Sequence, residues 1–125
     1  MMDRDDEGVI QLQRSVCSKQ GAQFVPAPNE SKVGLALASL GKQPIYGLRS
    51  AVAGDTSGWY LWAGEYSADD SFFQPVHVAH LPDKCPAVMK YLGLPPGYGF
   101  VFDDEGYEDV WFDPDRLRRE AEEGG

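Results

Sequence analysis

Carboxylates dominate the residues of this chain that could do chemistry. Asp103, Asp104, Glu105, Glu108, Asp109 and Asp113 fall within "FDDEGYEDVWFD", with no Lys or Arg among them, and Asp115 follows. A smaller group, Glu65, Asp69 and Asp70, lies just after "GWYLWAG". Paired carboxylates serve glycosidic chemistry when one sits in an apolar setting and the other stays ionised; phosphoryl chemistry needs such a pair or a metal cage. Here they are consecutive or beside glycine, in turn-like contexts that favour hydration. "DDEGYED" also lacks the alternating oxygen ligands of a calcium-binding EF-hand loop.

The other reactive side chains give no better constellation. His77 and His80 form "HVAH" in a β-branched stretch that follows a proline. Read as a strand, it puts them on opposite faces, badly placed to share one metal. Cys17 and Cys85 lack a partner motif, and neither Ser15 nor Ser18 stands in a nucleophile elbow. "GLPPGYG" has glycines but no Lys-Ser/Thr after it and no cofactor unit. Neither metal nor cofactor is expected, and no catalytic residue is assigned.

What remains is a binding surface. Tyr107, Trp111 and Phe112 are interleaved with the acids, and aromatic anchors with steering carboxylates are what a basic protein partner would meet. Asp103, Asp104, Glu105, Tyr107, Glu108 and Asp109 are therefore the leading contact candidates, extended by Glu65, Asp69 and Asp70. The opposing reading is that the aromatics are core and the acids only hydrate the surface.

Charge distribution favours the first reading. The chain of 125 residues carries a net charge of −9, which excludes nucleic acid as the natural partner. Residues 1–50 have a net charge of +1 and residues 116–125 are neutral, so the deficit of −10 falls in residues 51–115, where Lys84 and Lys90 are the only basic side chains. Solubilising charge is more evenly spread. With 42% hydrophobic and 12% aromatic residues the chain is no disordered acid tail. No signal peptide or membrane-length apolar window is legible, and two cysteines make no disulfide framework; a cytoplasmic setting is the expectation.

Positioning these residues requires a small α+β domain. Residues 1–8 read as a flexible tail, 9–117 as a single domain and 118–125 as a polar tail. "VIQLQRSV" (9–16) reads as a short strand, and "NESKVGLALASLG" as a helix ended by Gly41. "QPIYGLRSAV", "GWYLWAGEY" and "QPVHVAHL" read as strands, the second apolar on both faces and so central or buried against a partner. "PDKCPAVMKYLGLPP" reads as a helix over Asp83–Leu92, with Cys85, Val88, Met89 and Leu92 on one side. "YGFVFDDEGYEDVWFD" reads as a hairpin about "DDEG". The expected fold is a mostly antiparallel sheet with about two helices on one face.

Several of these segments together resemble a known family. "SGWYLWAGE" (57–65), "PVHVAHL" (75–81) and "CPAVMKYLGLPPGYGFVF…GYEDVWFDPDRL" (85–117) resemble the immunity-protein-33-like domain of bacterial polymorphic toxin systems, with a looser likeness to the domain of unknown function 2185. The resemblance covers about half the chain, and residues 1–50 carry none of it. It implies a small cytoplasmic protein that binds and neutralises a toxin made beside it, with no catalytic residues. Since many such toxins hold nucleic acid or nucleotides in basic clefts, an acidic, aromatic surface would plug one. Two alternatives stay open: an acidic secretion chaperone or adaptor for an effector, and a small enzyme that reverses a toxin's modification. Neither the toxin nor the oligomeric state follows from the sequence.

Overall fold

The computed structural model describes residues 4–51 and 54–115. Its centre is one six-stranded sheet, built from β1 (Lys32–Leu35), β2 (Ile45–Arg49), β3 (Thr56–Ala63), β4 (Gln74–His77), β5 (Tyr98–Phe102) and β6 (Glu108–Phe112). The spatial order is β4-β1-β3-β2-β5-β6, and every pairing is antiparallel except β1 with β3. The fold is α+β, as expected.

The first half departs from the sequence reading. Residues 9–16 belong to a long helix, α1 (Arg4–Gln20), which also takes in residues 4–8 of the expected tail. Few apolar residues mark its inner face, because polar groups do part of the packing. Buried Gln13 donates Nε2–H to the Met89 carbonyl at 2.8 Å, and Cys17 its thiol to that of Gly93 at 3.3 Å. Conversely, the helix expected around Val33–Leu40 is β1 followed by one 3-10 turn, Leu37–Ser39. Val33 and Leu35 point into the core while Lys32 and Gly34 point away, a period of two that pairing on both sides enforces over local helix propensity.

The C-terminal half holds two further corrections. The strand expected over "QPVHVAHL" is β4, which ends at His77, and Val78–His80 coils into a 3-10 turn. His77 and His80 therefore do not face opposite sides of one strand; both are exposed, with ring centroids 6.1 Å apart. The helix expected over Asp83–Leu92 is split into α2 (Leu81–Lys84) and a 3-10 helix Pro86–Tyr91. Pro86 has no N–H to continue the ladder and forces Cys85 out of the helical region, to φ −156 and ψ 73. The inward side chains survive the break: Leu81, Cys85, Val88 and Leu92 all lie in the core. Residues 118–125 of the expected tail lie outside the described residues.

These helical segments cover one face of the sheet. Tyr91 stacks on Phe100 at 4.1 Å between centroids, and the Trp59 indole donates to the Leu92 carbonyl at 3.1 Å. Arg49 is buried with them. Its Nε–H donates to the Ser57 carbonyl at 2.9 Å, and Nη1 reaches the carbonyls of Val25 at 2.6 Å and Leu94 at 2.8 Å. Burial pulls its pKa down to about 10, so it remains a cation that fastens three chain segments through backbone oxygens.

Candidate functional site

The β5–β6 hairpin sorts the acidic strip into different roles. Half-buried Asp103 builds the turn, its Oδ1 accepting the N–H of Glu105 at 2.9 Å and of Tyr107 at 3.0 Å. Gly106, at φ 99, takes the left-handed position that the turn requires. Asp104 and Glu105 project into solvent, and Tyr107 is 55% exposed at the tip. Strand alternation then separates the last two acids. Glu108 pairs with Phe102 on the covered face, whereas Asp109 pairs with Val101 on the other.

Glu108 is paired off within the chain, against expectation. Its Oε2 accepts the Tyr91 hydroxyl proton and lies 3.6 Å from Lys90 Nζ. The Tyr91 hydrogen bond, helped by Lys90, holds the carboxyl below the usual range, while burial and then Glu108 push the Tyr91 phenol up. Asp104, Glu105 and Asp109 have no such partner among the described residues.

The second acidic group sits at the same end of the sheet. β3 and β5 end there and β2, β4 and β6 begin there, so loops 36–44, 64–73 and 103–107 share one rim. Only β2 separates the ends of β3 and β5, which sets them about 10 Å apart at ordinary strand spacing. Glu65 and Asp70 are exposed, and Asp69 accepts the Ser71 N–H at 2.8 Å and hydroxyl at 2.7 Å, which lowers its pKa. Lys42 is the one Lys or Arg in these three loops, against six carboxylates.

Loop 64–73 also folds its aromatic side chains back over the uncovered face of the sheet. Trp62 is stacked on Tyr46 at 5.1 Å, with Tyr66 edge-on at 5.3 Å, and Phe73 meets Tyr60 at 5.2 Å. Glycines let these rings lie down. A Cβ on Gly34 would come within 2.8 Å of the Tyr60 ring, and one on Gly99 within 2.8 Å of Trp111. The described helices pack on the opposite side, and Tyr60 remains 40% exposed. Sequence reasoning named neither Tyr46 nor Tyr60 as a contact residue and held Trp111 only as one of the aromatics among the acids; the signal it did hold was the apolar character of both faces of "GWYLWAGEY".

A well-formed groove lies elsewhere. A groove of about 670 Å³ between α1 and the segment from Val78 to Lys90 is lined by Ile10, Gln13, Pro26, Pro82 and Met89, and Lys90 is its one titratable side chain. It offers no acid–base pair, so its size does not make it the chemical centre. Among the described residues no three His, Cys, Asp or Glu side chains gather as metal ligands would.

Comparison with protein families finds the Imm33-like domain over residues 12–113. The chain belongs to that family. No curated protein and no solved structure matched. The Imm33-like match starts within α1 and ends just after β6, so it takes in all six strands, including β1 and β2, whose sequences carried no legible likeness.

Proposed function

We propose that this Imm33-like protein is a non-catalytic immunity protein that binds a bacterial toxin in the cytoplasm and blocks its active or substrate-binding site. Family membership supports the class. The mode rests on one observation: two separate acidic loops, 64–73 and 103–107, neither with a lysine or arginine, share one rim of the sheet. Such a rim steers a basic cleft into register and competes with the anions that the cleft would otherwise hold. Asp104, Glu105, Tyr107 and Asp109 are the central contacts, with Glu65 and Asp70 beside them. Asp103, Asp69 and Glu108 act by shaping the rim. Among the described residues no helix is long and apolar enough to cross a membrane.

Co-expression with the toxin encoded beside it is the test. Protection from killing, together with loss of toxin activity in the purified complex, is expected. A complex in which the toxin stays active would point to a chaperone instead.

A further inference from the structure

The uncovered face of the sheet is built for more than closing a core. β3 carries two apolar faces; the one with Trp59 and Leu61 lies under the helical segments, and among the described residues the one with Tyr60 and Trp62 has the loop rings of Tyr66 and Phe73 against it. Leu48 and Trp111 continue that face towards the β6 edge, where Asp109 stands on the same side. Carboxylates rim it: Asp109 on one flank, Glu65 and Asp70 on the loop that delivers the rings.

We infer that this face receives arginine side chains of the protein partner. The inference rests on the proposed function only in taking the partner to be a basic protein. A planar guanidinium stacks on tyrosine and tryptophan faces and still presents N–H groups sideways to carboxylates, which an ammonium cannot do with the same geometry. The chain's own arginines already use aromatic faces: Arg14 lies 4.4 Å over the Phe24 ring and Arg49 lies 5.7 Å over Trp59. A second copy of the chain is a poor occupant, because face-to-face packing of a protein at −9 would bring like rims together. Nucleic acid is excluded by the same sign. Charge complementarity leaves a cationic protein surface, and the rings select arginine from it.

Titration with oligo-arginine and oligo-lysine peptides of equal length tests this, read by tryptophan fluorescence and amide chemical shifts. The arginine peptide should bind about tenfold more tightly, the ratio that a stacking difference of about 1.4 kcal/mol gives. Shifts should centre on Tyr46, Tyr60, Trp62 and Trp111. Tyr60→Ser should erase most of the preference, and Tyr60→Phe, which keeps the ring, should restore it. Equal affinity for the two peptides, or shifts confined to residues 103–107, would overturn the inference. So would concentration-dependent dimerisation through this face without arginine preference. A toxin neutralised equally well by wild type and Tyr60→Ser would remove this inference and leave the proposed function standing. An arginine preference with no toxin binding would do the reverse.

Discussion

Trp59 and Trp62 lie three residues apart on β3 and are both largely shielded, at 0% and 8% exposure, but by different means. Trp59 is sealed by the Leu92 carbonyl and the Phe100 ring, both far away in the chain, and by the Arg49 guanidinium of the neighbouring strand. Trp62 is shielded by Tyr46 and by Tyr66 and Phe73 from the loop that follows its own strand. One face is closed by the fold as a whole, and the other by a local lid of rings with acids on its border. The covered face should carry stability, and the open face with its rim should carry recognition.

The comparison breaks most visibly at Arg49. Arg49→Met leaves several buried carbonyls without a donor and should cost at least about 3 kcal/mol in denaturant unfolding. Arg49→Lys should not restore it, since an ammonium cannot span the carbonyls of Ser57, Val25 and Leu94. Leu92→Ala, on the same side, should cost about 2–5 kcal/mol. Near-neutral results at both positions would mean that the helical segments do not seal this face.

Acid should loosen the covered face at its β6 edge. Glu108 is held below the ordinary carboxylate range by the Tyr91 hydroxyl. Its contribution is therefore complete above the pH at which an unfolded glutamate titrates, and it fades as pH falls through the lower, folded pKa. Stability measured against pH should decline there, and Glu108→Gln should flatten that part of the curve. Tyr60→Ser, on the open face, should cost only about 1 kcal/mol. Smallest of all, Asp104→Lys with Glu105→Lys should leave unfolding within about ±0.5 kcal/mol of wild type.

The same contrast explains what the sequence disclosed. β2, β3 and the β5–β6 hairpin were legible because their alternation and turn residues act locally. α1 was not, since Gln13 occupies an inward position that hydropathy does not mark, satisfied by the Met89 carbonyl distant in sequence, while apolar Ile10 and Leu12 are exposed. Val33–Leu35 was misread because the pairing that makes it a strand comes from β3 and β4. In the candidate site the acids were visible, but their division was not. Asp103 as turn-builder, Glu108 bound by Tyr91 and Asp109 on the opposite face all depend on register. The charge on the rim was legible; the aromatic face that it borders emerged only when Tyr46, Tyr60, Trp62 and Trp111 were brought onto one side of the sheet from three strands.

The association rate of the proposed toxin partner, measured against wild type and the Asp104→Lys, Glu105→Lys variant at two ionic strengths, tests the central claim most directly. The expected result is slower association for the variant at low salt, with the difference narrowing at high salt because steering is screened. Unchanged association at both ionic strengths, with protection intact in a cell-killing assay, would contradict it and reduce the acidic rim to hydration.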